Sequence, residues 1–246
     1  MEKILLLGAS STIAADMARL YRKQGKKLFL VGRNPQKIEA LSNELGSSIL
    51  GTANIDFNNF EEVPEFINNI IQTMRSIDLV IIAHGDLGNQ LKSEKSFVHA
   101  KDIFYTNCLS VISLLIPIAN FIEKQGFGQI AVIGSVAGER GRPRNYTYGA
   151  AKGSIQIYLQ GLRSRLWKKG IGVHYIKLGP VDTPMTTHHE KNFSFTSSAL
   201  AARKIIEAIE KNKKEAYVPG FWYFVMLAVR NMPEMIFQKL KFLSGR

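Results

Sequence analysis

The chain opens MEKILLLGASSTIAADMA, residues 1–18. Ile4–Leu7 is an apolar run with no alternation, which reads as a strand buried on both faces and beginning almost at residue 1. Gly8 and the small residues after it make a turn, where Gly8 permits a tight reversal. Thr12–Lys23 then reads as a helix. A fully apolar strand feeding a helix is the repeating unit of a parallel sheet covered on both sides.

The same unit recurs along the sequence. Lys27–Val31 precedes a helical segment at Pro35–Leu45, with Pro35 suited to a first helical turn. A weaker strand at Ser48–Asn54 precedes a helix at Phe60–Arg75. Residues 77–83, IDLVIIA, form a strong strand before a long helical pattern over Ala100–Lys124, where Pro117 is a candidate bend. GQIAVIG at 128–134 leads to a helix over Tyr146–Lys169. IGVHYIKL at 171–178 leads to a helix over Ser197–Lys213, and EAYVPG at 215–220 is a last short strand. No internal repeat or low-complexity linker interrupts the series. The expected fold is therefore α/β and doubly wound, a Rossmann three-layer sandwich. It has one parallel sheet of roughly seven strands and a C-terminal helical tail. Its ligands bind at the carboxyl ends of the strands.

The 246 residues suit one large α/β domain. Thirty-two Lys and Arg against 20 Asp and Glu give a formal charge of +12. Such a balance points to an anionic partner: a phosphorylated cofactor, nucleic acid or a membrane surface. It also serves plain solubility. Aromatic and basic residues are not interleaved along the strands and no nucleic-acid motif occurs, so nucleic acid is not expected. Cys108 is the single cysteine, which excludes an intrachain disulfide and agrees with a cytoplasmic setting. The N-terminal apolar run is too short for a signal peptide. No metal site is expected.

Read strand end by strand end, the sequence offers candidate binding residues. After the first strand, Gly8, Ser10, Ser11, Thr12 and Ile13 form a turn that opens a helix. Such a turn presents backbone N–H groups to phosphate, or equally a simple serine N-cap. After the second strand come Arg33 and Asn34, where a fold that prefers NAD carries a carboxylate for the ribose. Arg33 can instead fork onto a 2′-phosphate, which argues for NADP(H). Asp56 and Phe57 follow the third strand. Ala83, His84 and Gly85 follow the fourth, with His84 either a proton donor or a structural residue. Ser135 ends the fifth strand, and Tyr148 and Lys152 come thirteen and seventeen residues later. Pro180, Val181, Thr183 and Met185 follow the sixth. A Tyr-x-x-x-Lys pair alone decides nothing: eight Tyr, with Lys at roughly 6% of ordinary sequence, give about half a match by chance.

Taken together and in order, Asn107, Ser135, Tyr148-x-x-x-Lys152 and LGPVDTPM at 178–185 resemble the short-chain dehydrogenase/reductase family over residues 1–220. The resemblance implies an NADPH-dependent reduction of a carbonyl to an alcohol. Tyr148 would give the proton, and Lys152 would lower the phenol pKa and hold the nicotinamide ribose. Ser135 would orient the carbonyl oxygen, and Asn107 would help hold a relay water. Two departures stand out. Of the family's turn T-G-x-x-x-G-x-G only Gly8 survives, with Leu7, Thr12 and Ala14 at the other positions. Its N-N-A-G loop is Ile82-Ala83-His84-Gly85 here. The alternative is a cofactor-binding regulator or scaffold without turnover. The loop AHGDLGNQ at 83–90 also resembles the reductases of keto-sugars on polyprenyl phosphate.

Residues 221–246 form the tail. Phe221–Val229 is apolar and too short to span a membrane. Pro233 opens a second helical pattern with Ile236, Leu240 and Leu243 on one face and Phe237 beside it. From Arg203 onward nine Lys/Arg face four Glu. The segment reads as an interfacial anchor at the inner face of an anionic membrane, or as a contact on the body or a second subunit of a homo-oligomer. Substrate-shaping residues are expected at 86–96, 139–145 and 186–198. Arg140, Arg142 and Arg144 are candidates for a substrate phosphate or for plain solvation.

Overall fold

The structure, a computed structural model, describes residues 1–187, 191–192 and 194–240. In chain order the elements are β1 (Lys3–Leu7), α1 (Thr12–Lys23), β2 (Lys27–Gly32), α2 (Pro35–Leu45), β3 (Ile49–Asn54), α3 (Val63–Met74) and β4 (Leu79–Ile82). Then follow α4 (Gln90–Ser93), α5 (Phe97–Phe104), α6 (Ser110–Gln125), β5 (Gln129–Ser135), α7 (Tyr146–Leu166) and β6 (Gly172–Leu178). The last are β7 (Val181–Asp182), β8 (Thr196–Ser197), α8 (Ser198–Glu210), β9 (Glu215–Val218), α9 (Trp222–Asn231) and α10 (Glu234–Lys239). Seven strands pair in the order β3-β2-β1-β4-β5-β6-β9, all parallel. The order reverses between β1 and β4, which is where a doubly wound sheet opens its ligand crevice.

The unbroken apolar strands follow from this layering. Leu5 and Leu7 point into one core with α3, α6 and α7, while Ile4 and Leu6 point into the other with α1, α2 and α8. Both faces being covered, the large apolar residues of β1, β4 and β5 are buried whichever way they point, worth about 1.5–3 kcal/mol each. Any slip in register would exchange the two cores.

Three expectations are corrected. The helix expected from Phe60 starts at Val63, with Pro64 in its first turn. The single helix expected over Ala100–Lys124 is three pieces: α5, a wide π turn at Tyr105–Leu109, and α6. Pro117 lies inside α6 without ending it. The stretch Phe97–Gln125 is long and apolar enough to cross a bilayer, yet α6 packs against α3 and α7 as a core helix.

The tail folds back on the body. Trp222, Met226, Val229 and Phe237 are buried with Val136. Phe237 therefore faces inward, whereas Ile236 is half exposed. This corrects the expected apolar face of the last helix; Leu243 lies outside the described residues.

Candidate active site

A cavity of about 1330 Å³ lies over the carboxyl ends of the strands, and residues following β1 through β6 line it. One wall is β5 with the start of α7. There Gly138, Gly149 and Gly153 let backbone touch backbone: a Cβ on Gly153 would sit 2.8 Å from the carbonyl oxygen of Gly138. This close approach sets α7 against the end of β5, so Ser135, Tyr148 and Lys152 meet at one place. Tyr175, inside β6, donates its hydroxyl to the Lys152 carbonyl at 2.8 Å and fills the space that any side chain at Gly134 would need. That anchor was not seen in the sequence, because nothing marks a tyrosine in a buried strand as reaching a helix carbonyl.

Tyr148 and Lys152 are both buried. Burial pushes the phenol up to about 12, and a hydrogen bond with Ser135 pulls it back part of the way. The same burial brings the Lys152 ammonium down to about 8. The sequence expectation that Lys152 depresses the Tyr148 pKa is therefore corrected for the protein alone, since desolvation of the phenolate outweighs every attraction around it. Nζ of Lys152 lies 5.8 Å from the Tyr148 ring centre and 3.4 Å from the Ile133 carbonyl oxygen. Asn107 sits in the π turn, fully buried, and does not line the cavity. Its Nδ2 donates to the carbonyl oxygens of Asp86 and Ile103, and its Oδ1 accepts from the Asp86 N–H. The side chain thus holds the loop after β4 rather than facing a ligand. The π turn that supplies this geometry is a device often found at functional sites.

The other wall follows β1 to β4. Gly8 has φ 84°, and a Cβ there would lie 2.6 Å from the His84 backbone nitrogen, so the floor of the crevice is bare backbone. Ser10, Ser11, Thr12 and Ile13 line it. Ser11 also caps α1, accepting from the Ala14 N–H at 3.2 Å, so both readings of this turn hold for that residue. Arg33 lines the cavity and Asn34 does not: Asn34 caps α2 by accepting from the Lys37 N–H at 2.8 Å. Lys37 takes a place at the wall instead, one turn into α2. Its signal was its three-residue spacing from Asn34. Asp56 and Phe57 line the cavity, with Asp56 accepting from the Asn58 N–H. The buried Phe57 ring stacks on His84 with centres 4.4 Å apart.

His84 lines the cavity too. Its Nε2 pairs with Ser110 Oγ at 2.8 Å, and burial brings its pKa down to about 3, so the ring stays neutral. Its Nδ1 is buried without a partner among the described residues. Ala83 and Gly85 line the crevice beside it. A Cβ on Gly85 would meet Asn107 Oδ1 at 2.9 Å and Lys152 Nζ at 3.2 Å. Beyond β6, Pro180, Val181, Thr183 and Met185 line the far side, where Thr183 caps the turn Pro184–Thr186. Phe221, Trp222 and Val225 of the tail close the cavity, a contribution the sequence did not assign.

The residues present suit a phosphorylated dinucleotide. The first turn of α1 offers N–H groups without intrahelical acceptors above a glycine turn. Arg33 and Lys37 supply two cations beside it.

Comparison with known proteins agrees with this layout. The family model described as short chain dehydrogenase matches residues 2–193. An uncharacterised oxidoreductase of Streptomyces coelicolor is 26% identical over 239 residues, spanning 96% of this chain and 95% of the relative. Among solved structures, ElxO with NADP bound superposes with a TM-score of 0.80 at 19% identity, covering 91% of this chain and 99% of that one. A variant of actinorhodin polyketide ketoreductase with NADPH gives 0.79 at 19% identity, covering 94% and 98%.

Proposed function

The chain belongs to the short-chain dehydrogenase family, and from that premise we propose that it is an NADPH-dependent reductase turning a carbonyl into an alcohol. The observation that carries this reading is the convergence of Ser135, Tyr148 and Lys152 on one wall of a cavity whose opposite wall holds Arg33 and Lys37. When bound, the nicotinamide supplies hydride to the carbonyl carbon. Ser135 and Tyr148, which line the same wall, hold the carbonyl oxygen between two hydroxyls. With its pKa at about 12, Tyr148 keeps its proton across neutral pH, as the donor in a reduction must. Lys152 places a cation 5.8 Å from the centre of the Tyr148 ring, an attraction for the phenolate that burial outweighs in the protein alone. Asn107 keeps Asp86 and the loop before it in place.

The preference for NADPH is supported by Arg33 and Lys37 standing where a carboxylate would repel a 2′-phosphate. Two solved neighbours carrying NADP or NADPH point the same way. The test is Tyr148→Phe, read by NADPH oxidation over a panel of carbonyls. Turnover should fall by about a hundred- to ten-thousand-fold, with NADPH binding retained. A wild type that binds NADPH and reduces nothing would give the site to the regulator reading.

The substrate is lipophilic or lipid-linked, such as a keto-sugar on a polyprenyl phosphate, and the enzyme works at the inner face of a membrane. This is supported by exposed Phe221, Tyr223, Phe224, Leu227, Met235 and Ile236, gathered on the tail beside the cavity. Because α9 and α10 are also structural, the test leaves them in place: Phe224→Ser with Ile236→Ser should weaken binding to anionic liposomes. Unchanged binding would sink the membrane reading. Exposed Phe97, Ile116 and Ile157 on the opposite helical layer support a homo-oligomer, which sedimentation velocity would read.

A further inference from the structure

Arg140 and Arg142 leave the same loop and end in opposite circumstances. Arg140 is fully engaged: it donates to the carbonyl oxygens of Val229 and Met232, pairs with Glu234 at 2.7 Å, and lies over the Phe237 ring at 4.1 Å. It staples the tail to the loop that follows Ser135. Arg142, two residues on, enters the cavity. Its Nε is buried with no partner among the described residues, and one terminal nitrogen makes a weak contact with the Met226 sulfur at 3.5 Å. Among the described residues no carboxylate pairs with it. Phe221, Trp222 and Val225, from the same segment as Met226, line the same cavity.

A guanidinium in apolar surroundings without a carboxylate costs stability unless a ligand repays the lost hydration. Two further features push in one direction. Arg144 lines the same cavity and its charge acts on Arg142, which adds to the positive potential an anion meets at Arg142. The 21-residue α7 begins at Tyr146, immediately after Asn145, which lines the cavity and makes no side-chain cap. Gln90 Oε1 accepts from the Thr147 N–H at 3.0 Å, and the helix turns its positive dipole end to the same place. Arg33 and Lys37 lie on the far side of the sheet's switch point, after β2, so this second cationic pole is distinct from the one assigned to the cofactor.

We infer that Arg142 is the receptor for an anionic group, a carboxylate or a phosphate, carried by the substrate of this site. The planar fork of Arg142 takes two oxygens of such a group, and the aromatic wall of the tail covers the adjoining apolar part. The word substrate rests on the reductase reading; the anion receptor does not. Tail and active site are then functionally joined: Arg140 holds the tail down, and the tail provides the dry surroundings that make one cation at Arg142 selective.

The experiment measures binding by calorimetry to enzyme saturated with NADP⁺, so that the cofactor site is filled. The probes are 4-acetylbenzoate, 4-acetylphenyl phosphate and the neutral methyl 4-acetylbenzoate. The proteins are wild type, Arg142→Met, Arg142→Lys and Tyr148→Phe. The two anions should bind the wild type at least tenfold more tightly than the ester does. Arg142→Met should lose that advantage with the ester unaffected. Arg142→Lys should keep part of it, and Tyr148→Phe should keep all of it. The better of the two anions identifies carboxylate or phosphate. Arg142→Met also removes a buried charge, so its thermal midpoint should not fall; retained melting and ester binding show that the variant is folded. Equal binding of anions and ester by the wild type, no binding of either anion, or anion binding unchanged in Arg142→Met would each overturn the inference. Anion binding by a wild type that reduces no carbonyl would instead sink the reductase reading and leave the receptor standing.

Discussion

Around Tyr148 the side chains are fixed by contacts that leave no room for a methyl group; around Arg33 they are fixed by very little. Gly138, Gly149 and Gly153 bring two backbones together, Tyr175 is wedged beneath, and Lys152 and Asn107 are buried. Arg33 and Lys37 are exposed, and the wall between them and Thr12 is largely main chain. In the reaction we propose, the first region would align a hydrogen bond and a proton closely, and rigidity suits that task. The second would hold phosphates, which main-chain N–H groups and long cations accommodate over a range of positions. This explains why the glycine pattern can be eroded to Gly8 alone on one side while the Ser–Tyr–Lys spacing stays whole on the other. Gly8 survives because its positive φ and its contact with His84 admit no side chain.

The largest effect expected from this contrast is at Lys152. Its folded pKa is depressed to about 8 from 10.5, so the folded protein binds fewer protons than the unfolded chain between those values. The cost of burying the ammonium is present in full below pH 8 and is relieved as pH rises toward 10.5. Lys152→Met removes that cost and should stabilise the protein at pH 7 by about 1–3 kcal/mol, while turnover drops at least a hundredfold. Activity and thermal midpoint should thus move in opposite directions, as expected where a site is built at the expense of stability. In the wild type, kcat/KM for NADPH should be level below pH 8 and fall as Lys152 loses its proton above it. Lys152→Arg should carry that limb to higher pH; a limb that stays in place belongs to another group.

The sheet was legible because its central strands are apolar on both faces, as at Leu79–Ile82, and each alternates with a segment of helical period; the edge strand Ile49–Asn54, half-buried, gave the weaker signal. Ser135, Tyr148 and Lys152 were legible because they stand in order with Asn107 and LGPVDTPM, the set that carries the family resemblance, and not through the Tyr-x-x-x-Lys pair alone. Asn107 was legible as a position but not in its setting, since a 3.6-residue period passes straight through a π turn. The tail was the least legible part. Its apolar residues serve a body contact at Trp222 and Phe237 and an exposed surface at Phe224 and Met235 with the same composition. Only contacts across some ninety positions, such as Arg140 to the Val229 carbonyl, decide between them. The three arginines looked alike for the same reason.

The smaller effect is at Arg33. Because this residue is exposed and in the proposed function the backbone around Gly8 would share the cofactor contact, Arg33→Ala should leave folding and kcat untouched. It should raise KM for NADPH by roughly ten- to a hundredfold, the loss of a charge-assisted pair worth about 1.5–3 kcal/mol. KM for NADH, which has no 2′-phosphate, should change less than threefold. Lys37 limits the loss, because a second cation one helical turn away keeps part of the attraction; adding Lys37→Ala should remove the remainder. Equal changes for the two cofactors would mean that Arg33 does not meet the 2′-phosphate. A fall in kcat with KM unchanged would break the contrast between the two walls itself, because it would tie this loose region to the alignment of Tyr148.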